Sequence, residues 1–349
     1  MTRYSRGNDE EPIGIVGLGL IGGSIGKTLM EQGTLVRGFD TDKIVCDEAA
    51  KEGIVICDDA AEVMQSCSVV FVAVPMSSYP FLAECIASQQ FATRRVLLID
   101  VGSARGPAQW LIDAARSTSG VRFIGSHPMA GSEFQGYRNA RADLFSGATW
   151  IVLPESDSSI EDFVIAATIV LALGAYVLVT QSSIHDDAVA RVSHLSHVFA
   201  AVLARTAGLA PTAPFNLSVA AGSFRDGTRV VTSNPAFAAE LCLYNAKALL
   251  AVIREAVEDI GRLTRALENG DGNELESLFS EAHAIRQRFL SSASADYISE
   301  RTLSKGEDWR RVLLNLGKGG FRISKIDVLD NGSRLLLTLV SPGTKNMAK

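Results

Sequence analysis

Short runs of apolar residues alternate with helical patterns through the first half of the chain. Several of these runs lack the polar alternation of a half-solvated strand, and strands covered on both faces have this composition. We therefore predict an α/β domain with a parallel sheet flanked by helices. The predicted strands are 13–16, 35–39, 69–74, 96–100, 122–125, 149–153 and 176–180.

The pattern changes after residue 182, where the strand signals stop. Helical patterns cover 188–206, 235–268 and 273–292, and Asn234-Pro235 is a typical entry to the middle one. We predict a Rossmann-like dinucleotide-binding domain at 12–181 and an all-α substrate and dimerisation domain at 182–298.

A third pattern occupies the tail, residues 299–349. Asn331-Gly332 separates two β-prone runs, which predicts a short C-terminal β-hairpin. The second run is apolar on both faces, because Leu335, Leu336, Leu337 and Leu339 are closely spaced. We expect the hairpin to dock on the helical domain or on a partner subunit, since a lone hairpin is marginal in water.

Composition narrows the class of protein. The 349 residues carry a net charge of −6, which disfavours a nucleic-acid surface. The five cysteines are scattered without a CxxC pair, which indicates reduced thiols and a cytoplasmic location. The longest uncharged stretch, 163–179, is shorter than the ~20 residues of a membrane span, so no membrane partner is expected.

The segment IGIVGLGLIGGS holds a GxGxxG motif formed by Gly17, Gly19 and Gly22. An apolar strand precedes the motif and a helical pattern follows it, as in a dinucleotide-binding βαβ unit. Gly17 permits a tight turn, Gly19 admits the pyrophosphate and Gly22 allows close packing of helix and strand. We expect this turn, including Leu20 and Ile21, to bind the cofactor.

Asp40 lies about twenty residues beyond the glycines, at the end of the second predicted strand. A carboxylate there accepts hydrogen bonds from the ribose hydroxyls of NAD and repels the additional phosphate of NADP. The alternative is an ordinary turn carboxylate. We predict NAD as the cofactor.

Three further strand ends predict contacts at the same edge of the sheet, because ligands of doubly wound sheets bind beyond the carboxyl ends of strands. These ends carry Pro75 and Ser103, which we expect to bind the cofactor, and His127. His127 opens the loop SHPMAGSE, where Pro128 is expected to end the strand, and a neutral imidazole there can accept a hydroxyl proton. Ser103 is a candidate partner of His127 or of the substrate, or a cap of the helix predicted at 107–115.

In the helical region, His194 and His197 are three residues apart and are expected to share a helix face. They are candidates for substrate binding, for packing or for binding a metal. We predict no metal, because no motif for a third ligand lies nearby. Arg225 and Arg229 occupy a glycine-rich stretch expected between helices, and a guanidinium fork matches a carboxylate.

Taken together, these segments resemble the prephenate/arogenate dehydrogenase family. The matching segments are GLGLIGGS, DVGSAR, SHPMAGSE, LFSGATWIVLP, SHLSH and FRDGTR, in family order. The resemblance implies an NAD(P)-binding domain, a helical domain that forms a homodimer, and oxidative decarboxylation of a cyclohexadienol. It implies that His127 is the catalytic histidine and Ser103 its supporting serine, with His197 and Arg229 as substrate-binding residues.

The chain departs from the family pattern at several positions. Arg105 stands where the family often has lysine, Ser196 where it commonly has proline, and Phe134-Gln135 replaces a frequent Lys-Ser. The last change leaves open prephenate, arogenate or a modified prephenate as substrate. Ser132 and Glu133 are further candidate substrate contacts.

Two other classes of protein stay open at this point. A β-hydroxyacid dehydrogenase would need a lysine followed by an asparagine, whereas Asn245 precedes Lys247 here. A non-catalytic NAD-binding protein is the other alternative.

Overall fold

The computed structural model describes residues 11–89, 95–131, 134–232, 234–292, 296–304 and 306–342. The chain forms two compact units. The first unit combines the residues up to Ser182 with Arg301–Thr338, and the second combines Ser183–Glu300 with the residues from Leu339 onward.

One sheet holds all the strands of the described residues, in the order β3-β2-β1-β4-β5-β6-β7-β8-β10-β11-β9. The strands are β1 Ile13–Val16, β2 Val36–Phe39, β3 Val55–Ile56, β4 Val69–Val72, β5 Val96–Asp100, β6 Val121–Pro128, β7 Thr149–Leu153, β8 Tyr176–Val179, β9 Asp296–Ser304, β10 Arg322–Leu329 and β11 Arg334–Pro342.

The α-helices follow the strands of the first unit and make up most of the second. They are α1 Leu20–Glu31, α2 Lys43–Lys51, α3 Ala60–Ser66, α4 Tyr79–Ala87, α5 Ala108–Ser117, α6 Ile160–Ala172, α7 Ser182–Val189, α8 Leu195–Gly208, α9 Ala213–Ser218, α10 Gly222–Thr228, α11 Pro235–Tyr244, α12 Ala246–Glu268, α13 Gly272–Ser292 and α14 Trp309–Lys318.

The central strands β1, β4 and β5 are buried along their whole length. Helices cover both faces of such a sheet, which explains the continuous apolar runs of these strands. Pairing is parallel from β3 through β6, so the carboxyl ends of these strands share one edge of the sheet. The predicted Rossmann-like fold is confirmed.

Local signals in the sequence explain where several helices begin and end. Ser159 and Asp162 form a capping box at the start of α6. Gly174 follows the helix with a φ of +85°, a conformation that favours glycine. Asn234 caps α11 by accepting a hydrogen bond from the amide of Ala236.

The sheet is not wholly parallel, contrary to the prediction. β7 pairs antiparallel with β6, from Gly125↔Leu153 to Pro128↔Trp150, and parallel with β8. β6 ends at Pro128, as expected, and Pro128 forms the last pair of this ladder, with Trp150.

The second unit is helical, as predicted, but its helices are shorter and more numerous. The long helix expected at 235–268 is broken at Asn245 into α11 and α12, which are bent by 92°. The predicted helix at 188–206 contains a π-helical segment, Ala190–His194. Among the described residues no single helix is long and apolar enough to cross a membrane, and only the bent pair α11–α12 satisfies that test jointly.

The terminal hairpin is present, with a 3₁₀ turn, Asp330–Gly332, between β10 and β11. We expected it to dock on the helical domain or on a partner subunit; within the chain β10 instead docks on the first unit, and docking on a partner subunit stays a prediction. β10 pairs antiparallel with β8 through Ile323↔Val177, and α14 approaches β8 where Gly317 has no side chain. The hairpin therefore extends the sheet of the first unit.

Candidate active site

The glycine-rich turn between β1 and α1 is shaped for a dinucleotide. Gly17 has a φ of +95°, and a Cβ there would lie 2.6 Å from the backbone of Ala73. A Cβ on Gly22 would lie 1.9 Å from the carbonyl oxygen of Gly17. Gly19 is the residue before α1, and beyond its two chain neighbours no atom of the described chain lies within 4 Å of the place that a Cβ on Gly19 would occupy. The free amides at the start of this helix therefore face room for a pyrophosphate.

The remaining residues of the turn open the helix. Leu20 and Ile21 are the first residues of α1 and are half-buried. Their amides belong to the group that an α-helix leaves without an internal partner. The fit to a dinucleotide thus rests on backbone geometry and on the absence of side chains at three glycines.

Asp40 follows β2 and has a structural role in the described chain. Its carboxylate accepts hydrogen bonds from the amide of Leu18, at 2.7 Å, and from that of Asp42, at 2.9 Å. The contact with Leu18 holds the glycine-rich turn against the end of β2. Because a carboxylate has about four acceptor positions, this role leaves capacity for ribose hydroxyls.

Pro75 lies beyond the end of β4, since that strand stops at Val72 and not at the predicted residue 74. It precedes a 3₁₀ helix, Met76–Ser78, and is exposed. The structure thus places Pro75 at the carboxyl edge of the sheet, where β1 and β5 also end.

Ser103 is half-buried in the turn that follows β5. It does not cap a helix, because α5 begins at Ala108 after Pro107. The alternative interpretation of Ser103 as a helix cap is therefore wrong. Ser103 lies at the carboxyl edge of β5, beside the end of β6.

His127 is half-buried and lies within β6, not in a loop as expected. Its backbone pairs with that of Ile151 on β7. Pairing of Ile99 with Ile124 makes β5 and β6 neighbours, so His127 and Ser103 occupy adjacent strand ends. Ser132 and Glu133, the other candidates from this segment, lie outside the described residues.

Sequence reasoning missed a buried ion pair below these two residues. Asp100, the last residue of β5, binds Arg105 through both carboxylate oxygens. Tyr79 donates its hydroxyl to the same carboxylate, and burial raises the pKa of Tyr79 well above its usual value, which keeps the phenol neutral. The available signal was a carboxylate ending the otherwise apolar strand VLLID.

In the second unit, the π-helical segment ends at His194, which is 1% exposed. π-Helical turns are rare and are common at functional sites. Burial, together with the neighbouring His197 and His185, lowers the pKa of His194 to about 4. The side-chain amide of Asn245 lies 3.2 Å from Nδ1 of His194 and also donates to the carbonyl oxygen of Asp186.

Asn245 was considered above only as a residue of a β-hydroxyacid dehydrogenase. Its amide instead joins α7, the π-helical segment and the break between α11 and α12. The sequence pattern did not predict this structural role.

His197 is the third residue of α8, which begins at Leu195, and is half-buried. Burial lowers its pKa, so its neutral form is favoured. Arg225 and Arg229 lie in α10 and in the following 3₁₀ helix, not between helices. Both arginines are exposed, and within the described part of the chain neither forms an ion pair, so each can bind an added carboxylate.

No group of three or more metal-ligating side chains occurs in the residues that the structure describes. A cavity of about 460 Å³ lies at the opposite, amino-terminal edge of β5 and β6. Two of the three arginines that line it, Arg116 and Arg122, already pair with Asp157 and Asp162. This cavity is far along the strands from Ser103 and His127, and we assign it no role.

Comparison with protein families matches two successive domains. Residues 25–179 match the model described as prephenate dehydrogenase, nucleotide-binding domain. Residues 181–281 match the model described as prephenate dehydrogenase, dimerization domain. The two matches meet where the first compact unit gives way to the second in the structure.

Individual proteins give the same picture. The chain is 28% identical to the prephenate dehydrogenase of Bacillus subtilis over 79% of this chain and 76% of the relative. It is 28% identical to the cyclohexadienyl dehydrogenase of Zymomonas mobilis over 78% of this chain and 94% of that relative. A solved structure from Corynebacterium glutamicum, described as a putative prephenate dehydrogenase, is similar with a TM-score of 0.77 and 28% identity, covering 90% of this chain and 99% of that one.

Proposed function

The chain belongs to the prephenate dehydrogenase family, and from this we propose that it oxidises and decarboxylates prephenate to 4-hydroxyphenylpyruvate in tyrosine biosynthesis. The family is one of oxidoreductases. The observation that carries the proposal is the position of His127, at the carboxyl edge of the sheet that also carries the dinucleotide-shaped turn. The imidazole that we propose as the acceptor of a hydroxyl proton thus lies on the same edge as the glycine-rich turn.

In this reaction the protein has to accept a single proton, that of the substrate hydroxyl. The glycine-rich turn of Gly17, Gly19 and Gly22 would hold NAD, which when bound would supply the hydride acceptor for the ring carbon that bears the hydroxyl group. His127 accepts the proton of that hydroxyl as the carbon becomes a carbonyl. The ring carboxylate then leaves as carbon dioxide, its bonding electrons complete the aromatic ring, and the resulting phenolate regains a proton.

The other carried-over residues bind or support. Ser103 assists His127 or the substrate hydroxyl from the adjacent strand end. Arg229, exposed and without an ion pair in the described chain, binds a substrate carboxylate. His197 supplies a neutral hydrogen-bonding group, since burial lowers its pKa. Asp40 selects NAD through the ribose hydroxyls.

Arogenate is the second candidate substrate, as sole substrate or beside prephenate. The relative from Zymomonas mobilis is a cyclohexadienyl dehydrogenase, which favours keeping it under consideration. A modified prephenate also stays open, because Phe134-Gln135 departs from the family pattern.

We also propose that the chain works as a homodimer formed through its second unit. That unit matches a dimerization domain and leaves many large apolar side chains exposed, among them Phe215, Leu243 and Phe279. Exposed apolar surface of this extent is typical of an interface.

The test is NADH formation with prephenate and with arogenate in parallel, each with NAD and with NADP. We expect turnover of prephenate with NAD and a lower kcat/KM with NADP. Equal or better turnover of arogenate would change the substrate assignment. Absence of turnover with both substrates would remove the proposed function.

A further inference from the structure

We propose that the buried Asp100–Arg105 ion pair is a positioning device that fixes Ser103 and His127 relative to each other. The proposal rests on the function proposed above, because it concerns the residues assigned there to proton transfer. It adds two positioning residues that do not themselves contact the substrate.

Asp100 is the centre of the arrangement. It is fully buried, and its two carboxylate oxygens accept five hydrogen bonds within the described residues. Arg105 supplies two of these bonds, at 2.9 and 3.0 Å. The amides of Gly102 and Ser126 supply two more, each at 3.1 Å, and Tyr79 donates the fifth. A single carboxylate therefore holds backbone from two segments.

Those two segments are the ones that carry the proposed proton-transfer residues. Gly102 immediately precedes Ser103 in the turn after β5, and Ser126 immediately precedes His127 in β6. A shift of the Asp100 carboxylate would therefore move Ser103 and His127, because each directly follows a residue whose amide the carboxylate binds.

Arg105 fixes the carboxylate from the other side. Its side chain is 3% exposed, and its planar fork binds both oxygens of Asp100, which defines the plane of the carboxylate. Nη1 also lies 3.4 Å from the carbonyl oxygen of Ser126. A Cβ on Gly125 would lie 2.5 Å from Nη2 of Arg105, so the fork occupies the space that the missing side chain leaves.

A second set of bonds fastens the same point of β6. The hydroxyl of Ser126 donates to the carbonyl oxygen of Asp100 at 2.5 Å and accepts a bond from Nε1 of the buried Trp150 at 2.9 Å. Strands β5, β6 and β7 are therefore tied together one residue before His127.

A buried ion pair is weak evidence for stability, because desolvation of both charges offsets their attraction. An apolar pair of similar volume would fill the space equally well. The Asp100–Arg105 pair adds orientation: the fork of Arg105 fixes the plane of the carboxylate, and that carboxylate binds the backbone amides beside Ser103 and His127. Arginine, in place of the lysine common in the family, provides two parallel bonds where an ammonium gives one point contact.

The test compares Arg105→Lys, Arg105→Met and the double variant Asp100→Asn/Arg105→Met. The double variant removes both charges, so that no unpaired charge stays buried and folding is preserved better than in Arg105→Met alone. Arg116→Met is the matched control, because it removes the bidentate Arg116–Asp157 pair at the other end of α5.

The readouts are thermal stability, kcat, KM, the Kd for NAD and the ring NMR signals of His127, assigned with His127→Asn. We expect kcat to fall roughly 10²-fold in the double variant, because displacement of a catalytic group by about 1 Å has such an effect. KM and the Kd for NAD should change less than about threefold, and Arg105→Lys should regain part of kcat. The His127 signals should shift in the Arg105 variants and not in Arg116→Met.

Recovery of kcat to within about threefold of the wild type in the double variant would overturn the proposal, as would unchanged His127 signals. If the wild type reduces NAD with neither substrate, the proposed function fails by itself. The His127 signals then still decide whether the ion pair holds that residue.

Discussion

The two units of this protein bury their apolar residues to different extents. In the first unit, strands β1, β4 and β5 are wholly buried, and Phe71, Trp150 and Phe163 are completely enclosed. In the second unit, a small buried cluster of Ala190, Leu249 and Val252 stands beside helices with many exposed apolar side chains. The first unit completes its core within one chain, whereas the second leaves exposed the apolar surface that the proposed homodimer would cover.

The two units also differ in the polar groups that they bury. The first unit buries a fully bonded carboxylate, Asp100, among oriented donors. The second buries neutral groups, the imidazole of His194 and the amide of Asn245, and leaves Arg225 and Arg229 exposed. The proposed proton acceptor, His127, and the proposed carboxylate-binding residue, Arg229, thus belong to different units, which suits separate roles in chemistry and in binding.

The largest expected effect is a fall in kcat from a substitution in the first unit that leaves the fold intact. We expect His127→Asn to lower kcat by about 10² to 10⁴, the usual contribution of a general base. The Kd for NAD and the oligomeric state should not change, because the glycine-rich turn and the second unit are untouched. Steady-state kinetics measure kcat, and fluorescence titration with NADH measures binding of the dinucleotide. Turnover within threefold of the wild type would exclude His127 from proton transfer.

A binding defect is expected in the second unit. Arg229→Ala should raise KM for the substrate roughly 10²-fold with a small change in kcat, since a charge-assisted bond to a carboxylate is lost. Arg225→Ala is the matched control, because Arg225 is also exposed and lies four residues before Arg229. A fall in kcat at unchanged KM in Arg229→Ala would contradict the role in binding.

The partner surface can be tested directly. Phe279 on α13 is 65% exposed, and we expect Phe279→Asp to weaken dimerisation by about 30-fold or more, as for charges placed in an apolar interface. Leu35, 50% exposed on the first unit, provides the control Leu35→Asp, which should dimerise like the wild type. Sedimentation equilibrium measures both. Equal dimerisation of the two variants would show that Phe279 lies outside the interface.

The smallest expected effect is a pH dependence of stability in the second unit. The folded pKa of His194 is lowered to about 4, so below about pH 6.5 the unfolded chain binds a proton that the folded chain does not. Stability should therefore decrease by roughly 1 to 3 kcal/mol as pH falls from about 6.5 to about 4.

Urea unfolding at several pH values tests this dependence. His194→Asn keeps a side-chain acceptor but does not titrate, so its stability should vary less with pH over that range. His283→Gln, at an exposed histidine, should keep the wild-type dependence. Identical slopes for the two variants would exclude His194 as the titrating group.

Much of the first unit follows from the sequence alone. Apolar runs without alternation predict buried parallel strands because each strand is covered on both faces. Gly17 and Gly22 predict the cofactor turn because only a residue without a side chain fits their close backbone approaches, and Gly19 leaves open space for the pyrophosphate. Signals of this kind are local, and a single segment of sequence contains all of the relevant physical chemistry.

Tertiary structure decided what depends on segments distant in sequence. The antiparallel β7, the bend at Asn245 and the addition of β10 to β8 each depend on a partner strand or helix that no local pattern specifies. The same holds for Asp100, whose bonds to Tyr79 and Ser126 span 21 and 26 residues. A charge at the end of an apolar strand is a site feature only when the fold supplies its donors, because burial makes those donors indispensable.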